Sequence, residues 1–327
     1  MAKVKIAIDV MGSDNGPELL IEGAHLALLE NEDLALVLFG DSKIIEDKLT
    51  ELGTDMTRVE IVHADQIVTN YDNPMEAIFQ KTGSSMMKAL MALGQREDIV
   101  GLINASSTGA LLAGSLRYVP AKELKRPALC AILPAEKGGF ICLVDTGANI
   151  DCTPSQLVDF AHMGSDFMKE YYSIESPRIG LLSNGAEETK GNKLVKATHL
   201  LLKEDKELNF VGNIEGNNAL TGDCDVLVCD GFAGNQVFKN SEGIARRLIT
   251  DIVKYAKATG NMEIMKLVKH LMGIYDFSAL GGGIILGVAK PIIKARGSAT
   301  ADSIKNTSAM LLNIVKNRDL FYGKDVR

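Results

Sequence analysis

The sequence predicts an α/β protein with a Rossmann-like three-layer α/β/α architecture and a mostly parallel sheet. Nine short apolar segments alternate with amphipathic segments of helical period along the 327 residues. Most of the apolar segments have no polar face, and strands that are apolar on both faces and separated by helices form parallel sheets covered on both sides. The composition, 46% hydrophobic and 24% charged residues, is typical of a globular domain.

The individual elements follow from the period of the apolar residues. The apolar segments predict strands at 4–10, 34–40, 58–64, 98–105, 126–134, 139–147, 178–185, 208–216 and 224–232. The amphipathic segments predict helices at 17–31, 42–52, 74–94, 108–118, 154–172, 187–204, 235–259 and 299–316. No low-complexity linker or internal repeat separates them. We therefore expect one domain over 1–327, with an amphipathic helical protrusion at about 250–276.

Composition and charge exclude several function classes. The net charge of −7, the absence of Trp and the 5% aromatic content argue against nucleic-acid binding. No apolar run reaches the ~18 residues that a membrane-spanning helix needs. The five cysteines contain no Cys-x-x-Cys pair, so we expect buried, reduced thiols in a cytoplasmic protein. The histidines lack metal-ligand spacing, and we expect neither a metal nor a cofactor.

Six loops at the carboxyl ends of predicted strands are rich in Gly, Asn, Ser or Thr, and all but NASSTGAL carry an acidic residue. They read DVMGSDNGP, NASSTGAL, DTGAN, SNGAEETKGN, GNIEGN and CDGFAGN. Ligands of open α/β sheets bind at this edge, and glycine lets the backbone approach them closely. A helix that starts at about Thr108 would favour the binding of a phosphate or carboxylate group at its N-terminus. Capping by Ser107 or Thr108 is the more common explanation of such a loop by itself, but six such loops on one edge of a sheet indicate a polar substrate cleft.

The sequence lacks the standard motifs for phosphate binding and hydrolysis. Neither Gly-x-x-x-x-Gly-Lys-Ser/Thr nor Gly-x-Ser-x-Gly occurs, and GGGIILG at 281–287 lacks the strand-then-helix context of a dinucleotide fingerprint. These loops offer no obvious protein nucleophile. Chemistry in which the substrate supplies the nucleophile fits them better, and inorganic phosphate is one such substrate.

The segment 261–277 predicts an amphipathic helix with a second role. One face carries Tyr275 together with Ile264, Leu267, Val268, Leu271 and Met272. The opposite face carries Lys266, Lys269 and His270, and the region upstream is also basic through Arg246, Arg247, Lys254 and Lys257. The helix either packs on the core or exposes an apolar surface to a partner subunit or a membrane interface. The basic residues favour an acidic partner or an anionic bilayer.

Taken together, these segments resemble the bacterial phosphate acyltransferase (PlsX) family of phospholipid synthesis. DVMGSDNGP is similar to the family's Asp-Ala-Met-Gly-Gly-Asp-x-Gly-Pro, and DTGANIDCTP to its Asp-x-Gly-Ala-Asn-x-Asp-Cys-x-Pro. FVGNIEG, DVLVCDGFAGN and YDFSALGGGIILG resemble further family segments. The similarities run in order from residue 6 to about 304.

The resemblance implies a fold like those of isocitrate and isopropylmalate dehydrogenases and phosphotransacetylase. It implies a homodimer that transfers a long-chain fatty acyl group from acyl carrier protein to inorganic phosphate. The product, an acyl phosphate, would supply a membrane-bound glycerol-3-phosphate acyltransferase in phosphatidic acid synthesis. A cytoplasmic protein of this kind would touch the membrane peripherally through 261–277, and the acidic carrier protein would match the basic region.

The loops and the resemblance together nominate site residues. The expected catalytic residues are Asp9, Asn149, Lys190, Asp230, Asn235 and Arg296. The residues expected to bind phosphate or the acyl substrate are Gly12, Asp14, Gly16, Ser106, Ser107, Thr108, Gly109, Asp145, Gly147, Glu187, Asn192, Asn213, Glu215, Gly231, Gly234, Lys294 and Ser298.

Direct displacement is the mechanism that these residues suggest. Phosphate held at the Thr108/Gly109 helix start and by Lys190 or Arg296 would attack the thioester. Amides of Asn149 or Asn235 would stabilise the oxyanion. Asp9, Asp145 or Asp230 would orient amides or accept a proton.

Four positions depart from the family pattern at the site, and Ser183 also replaces an amide. Ser106 and Ser107 replace a glycine and an asparagine, Ala186 replaces an acid, and Arg296 replaces a histidine. Arginine can bind phosphate but cannot shuttle a proton near pH 7. The departures leave open a non-catalytic scaffold for acyl carrier protein at the membrane. A decarboxylating dehydrogenase is a further alternative, which would need clustered metal-binding aspartates and an adenine-binding loop.

Overall fold

The computed structural model describes residues 3–69, 71–122, 125–275 and 282–322, with backbone alone for 317–322. The chain divides into two compact units. Unit 1 comprises Met1–Pro127 and Gly281–Arg327, and unit 2 comprises Ala128–Leu280.

The strands and helices are numbered in chain order. The strands are β1 (Val4–Asp9), β2 (Leu34–Gly40), β3 (Val59–His63), β4 (Ile99–Asn104), β5 (Ala128–Pro134), β6 (Phe140–Val144), β7 (Arg178–Ser183), β8 (Asn209–Glu215), β9 (Val226–Val228), β10 (Gly283–Leu286) and β11 (Ile292–Lys294). The helices are α1 (Pro17–Glu30), α2 (Ser42–Glu51), α3 (Pro74–Gln80), α4 (Ser85–Gln95), α5 (Thr108–Tyr118), α6 (Pro154–Tyr172), α7 (Lys193–Glu204), α8 (Gly231–Thr259), α9 (Met262–Tyr275) and α10 (Ala301–Tyr322).

In unit 1 the strand order is β3-β2-β1-β4-β11-β10. Neighbouring strands are parallel except for the antiparallel pair β10–β11. All seven residues of β2 are buried, as expected for a central strand covered on both faces. Helix α1 packs closely on α10 at Gly23, where an added Cβ would lie only 2.6 Å from the Ala301 carbonyl oxygen. The sheet therefore joins an early and a late segment of the chain.

In unit 2 the strand order is β5-β6-β9-β7-β8. The β5–β6 pair is antiparallel, and the remaining pairs are parallel. Leu133, Leu143 and Leu227 lie in its apolar core. Helix α6 begins with a capping box in which Thr153 and Gln156 each accept the other's backbone N–H. The carboxyl ends of four parallel strands thus lie at one edge of this unit's sheet.

The predicted fold class, an α/β protein with a mostly parallel sheet, is confirmed. All nine predicted strands are present, but β9 ends at Val228 rather than at 232. The reason is that the Asp230 carboxylate accepts the backbone N–H of Ala233 and so starts α8 at Gly231, four residues before the predicted start. The sequence predicts a loop for the glycines at the start of α8, because glycine disfavours helices.

Three further differences have local causes. The predicted helix 74–94 is two helices, because Ser84 caps a new start at α4. The predicted helix 187–204 begins only at Lys193, where Asn192 is the N-cap and Gly191 has a φ of 99°. Strands β10 and β11 were not predicted, since they contain only four and three residues. Residues 276 and 277 of the predicted amphipathic segment lie outside the described residues.

Candidate functional site

Three side chains end neighbouring parallel strands of unit 1 in register. Asp9 is the last residue of β1, and it pairs with Asn104 at the end of β4. Asn104 in turn pairs with Lys294 at the end of β11. An acid, an amide and an ammonium group therefore follow one another across the carboxyl edge of the sheet, where α/β proteins bind ligands.

A buried hydrogen-bond network connects this row to the following loop. Asp9 Oδ2 accepts from Asn104 Nδ2 at 2.7 Å, and Asp9 Oδ1 accepts from the Met11 backbone N–H at 3.0 Å. Asn104 Oδ1 accepts from the Ser106 backbone N–H at 2.9 Å and from its hydroxyl at 3.1 Å. Asp9, Asn104 and Ser106 are each at most 1% exposed. The network fixes Ser106 immediately before α5.

The environment of Asp9 changes its acidity. Burial raises the pKa of its carboxyl from the ordinary 3.8 to about 7, while the hydrogen bonds from the Met11 backbone and Asn104 and the neighbouring Ser85 hydroxyl lower it. Desolvation disfavours the charged form of a carboxyl group. The carboxyl therefore changes charge near neutral pH, in the range that proton transfer requires.

The start of α5 has the features of an anion site. Its N-cap, Ser107, makes no side-chain capping hydrogen bond to the helix. The Lys294 ammonium lies beside this start and donates to the carbonyl oxygens of Ala105 and Ala295, the former at 3.4 Å. Thr108 and Gly109 form the first turn, and a Cβ at Gly109 would lie 2.8 Å from Pro74 Cγ. A helix N-terminus beside a cation favours phosphate binding.

The loop after β1 packs on two other predicted site segments. Gly12 has a φ of 75°, and a Cβ there would lie 2.6 Å from Ser106 Cβ, so only glycine fits. The Asp14 backbone N–H donates to the Gly297 carbonyl at 2.8 Å. Gly297 lies between Arg296 and Ser298, and Gly16 is the N-cap of α1. Unit 1 thus brings together the predicted residues of its first, fourth and last strand-end loops.

In unit 2, Asp145 shapes the loop that follows β6. Its Oδ1 accepts from the backbone N–H groups of Gly147, Ala148 and Leu129. Its Oδ2 accepts from both the backbone and the side-chain nitrogen of Asn149, each at 2.7 Å. Burial raises the pKa of Asp145, although these hydrogen bonds oppose the shift. Both carboxylate oxygens thus bind their own loop, and the Asn149 amide is engaged with them.

The first turn of α8 packs directly on this loop. The Gly231 backbone N–H donates to the Asn149 carbonyl at 2.7 Å. A Cβ at Gly234 would overlap the Asp145 carbonyl oxygen. A Cβ at Gly147 would lie 3.0 Å from Asn235 Nδ2. The three predicted glycines are therefore explained by close backbone approach, which places the Asn235 amide beside the Asp145 loop.

The remaining predicted residues of unit 2 lie around the ends of β7 and β8. Asn213 Nδ2 donates to the Glu187 carbonyl at 2.9 Å, and Asn213 Oδ1 accepts from His199 Nδ1 at 2.9 Å. The Lys190 backbone N–H donates to the same carbonyl at 3.0 Å, and both side chains at 187 and 190 are exposed. Asn192 caps α7, and Glu215 pairs in register with Ser183. The structure brings these residues together on one loop edge.

A cavity of about 610 Å³ opens at this edge, within unit 2. Apolar side chains of α6, β7, α7 and α8 form most of its wall, and the predicted residues Asn192 and Asp230 lie in its lining. Across the described ranges, no three His, Cys, Asp or Glu side chains are grouped to hold a metal ion.

Sequence reasoning missed several residues of these arrangements. Asn104 begins the loop NASSTGAL but is not among the predicted site residues, although its position at the end of a strand beside β1 was a usable signal. Ser85 carried no such signal, since it lies within a helical pattern. Phe232 and Val195 in the wall of the cavity were also missed, because apolar residues on helices resemble ordinary core residues.

Helix α9 presents part of its predicted apolar face. Leu267 and Met272 are 49% and 45% exposed, and Ile264 and Leu271 are half-buried. Val268 is buried within its own chain, as is Ala256 of α8, on which α9 packs. Helix α8 adds exposed Ile244, Leu248 and Tyr255. Among the helices of the described residues, none is long and apolar enough to cross a membrane.

Comparisons with known proteins identify the family. A family model described as "Fatty acid synthesis protein" matches residues 4–317. The phosphate acyltransferase of Clostridium perfringens (strain SM101 / Type A) is 38% identical over 309 residues, which cover 93% of this chain and 91% of that protein. The phosphate acyltransferase of Thermoanaerobacter pseudethanolicus is 38% identical over 330 residues, covering 98% and 97%.

A solved structure shows the same fold. The phosphotransacetylase from Streptococcus pyogenes aligns with a TM-score of 0.63 at 18% identity, over 96% of this chain and 94% of that one. This similarity concerns the fold alone, and it confirms the predicted likeness to phosphotransacetylase. The match of the family model and the relatives across nearly the whole length shows that the chain belongs to the fatty acid synthesis protein family, as its resemblance to phosphate acyltransferases predicts.

Proposed function

We propose that this protein transfers a long-chain fatty acyl group from acyl carrier protein to inorganic phosphate, giving an acyl phosphate for phosphatidic acid synthesis. The observation that carries the proposal is the start of α5, where Ser107 leaves the helix uncapped and the Lys294 ammonium lies beside it. A helix N-terminus and a cation together suit a phosphate dianion. The names of the relatives, phosphate acyltransferases, support the same reaction.

Phosphate supplies the nucleophile in this reaction. One of its oxygens forms a bond to the thioester carbonyl carbon, the carbon–sulfur bond then breaks, and the proton of the phosphate leaves with the thiol. No acyl-enzyme forms. Asp9 is the positioning residue: it is buried, and it acts on the phosphate site through Asn104 and Ser106. A stable acyl adduct on a cysteine or serine would exclude this mechanism.

Of the two amides predicted to bind the oxyanion, Asn235 is better placed to donate to a substrate than Asn149. Asn149 is 2% exposed and its side-chain nitrogen is bound to Asp145, whereas Asn235 is half-buried in the first turn of α8. Amide donors that are already oriented stabilise a developing oxyanion strongly. Arg296 and the exposed Lys190 would contribute fixed positive charge for anionic substrate groups, without proton transfer at the arginine.

An acyl-transfer assay tests the proposal. The protein is incubated with palmitoyl-acyl carrier protein and inorganic phosphate, and acyl phosphate is detected by mass spectrometry while free carrier protein is quantified. We expect both products to form in equal amounts and only when phosphate is present. Carrier-protein binding without turnover would instead support a scaffold and would overturn the enzyme.

Lys294→Met is expected to raise the KM for phosphate roughly tenfold to a hundredfold, because it removes a charge-assisted hydrogen bond. The KM for acyl carrier protein should change much less. Steady-state kinetics with each substrate varied in turn measure both values. Lys43→Met, at an exposed position of α2, is the matched control and should leave both unchanged. An equal rise in both KM values would contradict a phosphate site at α5.

The partner surfaces are proposed on α8 and α9. Basic residues of α8 would dock the acidic carrier protein, and the exposed apolar side chains Ile244, Leu248 and Tyr255 would pack on a second copy in a homodimer. The exposed face of α9 would insert in the membrane interface, where a glycerol-3-phosphate acyltransferase uses the acyl phosphate. The protein would accordingly act in the cytoplasm with peripheral membrane contact.

Changing both Leu267 and Met272 to Glu is expected to weaken vesicle binding roughly a hundredfold, since each buried apolar side chain contributes about 1.5–3 kcal/mol. Flotation with phosphatidylglycerol–phosphatidylcholine vesicles measures the bound fraction. Leu200→Glu, at an exposed position of α7, serves as the control and should bind like the unchanged protein. Equal flotation of all three proteins would exclude α9 as the membrane contact.

A further inference from the structure

The cavity in unit 2 has an apolar floor and a polar rim. Leu157 of α6 and Leu181 of β7 form its floor and are almost fully buried. Val195 of α7 and Ala233 of α8 belong to its walls, and Leu182 and Val237 also line it. The rim carries the exposed amides Asn184, Asn192 and Gln236. A cavity of this kind accepts a ligand whose inner part is hydrocarbon and whose outer part is polar.

The charge of the lining excludes other ligand classes. Of the described residues that line the cavity, Asp230 is the one that carries a formal charge, and it is negative. A phosphate, a nucleotide or the carboxylate of a free fatty acid would meet no cation inside, and burying such a charge without a partner is strongly unfavourable. A neutral chain such as that of an acyl thioester has no such penalty.

The size of the cavity agrees with a long chain. Its volume of about 610 Å³ lies in the middle of the range for small-molecule sites, which is roughly 300–1,000 Å³. Its position at the carboxyl ends of β7, β8 and β9, next to the starts of α7 and α8, is the usual ligand edge of a parallel sheet.

We propose that this cavity binds the hydrocarbon tail of the acyl substrate, and that Val195 and Ala233 set the accepted chain length. The inference rests on the proposed acyl transfer for the identity of the ligand, but the pocket itself is defined by its lining. Each methylene buried there should lower the apparent dissociation constant roughly fourfold until the floor is reached. Short chains would then bind weakly whatever their head group.

The test compares variants that fill the cavity from two of its helices, α7 and α8. Val195→Phe places a phenyl ring in the cavity from α7. Ala233→Leu adds a branched aliphatic side chain from α8. The matched control Val211→Phe lies at an exposed position of β8, outside the cavity. Binding of radiolabelled decanoyl and butyryl thioesters of N-acetylcysteamine is measured by equilibrium dialysis without phosphate. Acyl phosphate formation from butyryl- and palmitoyl-acyl carrier protein is measured separately.

We expect each filling variant to bind the decanoyl thioester at least tenfold more weakly, and the control to bind it like the unchanged protein. The palmitoyl-to-butyryl ratio of kcat/KM should fall by a similar factor in the filling variants. Unchanged binding and an unchanged ratio in a folded filling variant would overturn the inference while leaving acyl transfer intact. Chain-dependent binding without turnover in any protein would instead retain the pocket and reject the proposed function. Ala233→Leu decides the question if Val195→Phe does not fold.

Discussion

Asp9→Asn is expected to lower kcat/KM for phosphate roughly a hundredfold, the effect of displacing a substrate site by about an ångström. The reason is the direction of the hydrogen bonds. Asn104 Nδ2 donates to Asp9, and Asn104 Oδ1 accepts from the Ser106 backbone N–H. An asparagine at position 9 can point its own N–H groups at Asn104, which must then turn its amide and direct N–H groups at Ser106. The start of α5 shifts as a result.

The pH dependence of stability separates this role from a general packing defect. Folding raises the pKa of Asp9 from 3.8 to about 7. Its contribution to stability is therefore complete below pH 4 and is lost as the pH rises through 7. Relative to Asp9→Asn, the free energy of unfolding of the unchanged protein should fall by about 3 kcal/mol between pH 5 and pH 8. Urea unfolding at both pH values measures the difference.

Asp41→Asn is the control for both measurements. Asp41 follows the neighbouring strand β2 and caps α2 through backbone N–H groups, which asparagine accepts equally well. Its activity and pH profile should match those of the unchanged protein. Full activity of Asp9→Asn, or a stability difference that does not vary with pH, would exclude the positioning role of the buried network.

Gly234→Ala should destabilise the protein by about 3 kcal/mol or more. Position 234 lies in the first turn of α8, and an added Cβ would overlap the Asp145 carbonyl oxygen. The obstacle is a backbone carbonyl group, and the Asp145 carboxylate is held by four hydrogen bonds from its own loop and one from Leu129. The loop therefore cannot move away without breaking these hydrogen bonds. The helix must move, and Asn235 moves with it. Urea unfolding and the acyl-transfer assay should both record a loss.

Gly243→Ala in the same helix provides a control of opposite sign. A Cβ at position 243 would have no neighbour within 4 Å. Replacing glycine by alanine in an open helix interior should therefore stabilise the protein by about 1 kcal/mol. If both variants change stability in the same direction, the close approach of α8 to the Asp145 loop is not what requires glycine at 234.

The sequence was most informative where period and composition agreed. Continuous apolar runs such as 34–40 predicted their strands closely, because a strand that is buried on both faces needs apolar residues at every position. Errors arose where a capping residue decided the boundary. Asp230 starts α8 inside a predicted strand, and Ser84 divides a predicted helix. These hydrogen bonds depend on where the chain turns, which hydrophobic period does not record.

For the site, the strand-end rule located the loops but not the partnerships within them. Asp9 and Asp145 have similar sequence contexts, yet one binds the amide of a neighbouring strand and the other binds its own loop. Strand neighbours decide this difference, and the hydrophobic period of a segment does not record which strands are neighbours. The apolar cavity was missed for a related reason, since a leucine that faces a cavity and one that faces the core follow the same period.

The row Asp9–Asn104–Lys294 has a consequence for biosynthesis. Its members come from β1, β4 and β11, so the last strand must add beside β4 after the whole of unit 2 has been synthesised. Until then β4 presents an unpaired strand edge, which is prone to pairing with other chains. A nascent chain that stalls before residue 292 would therefore lack the ammonium group of the anion site and would carry an aggregation-prone edge in its place.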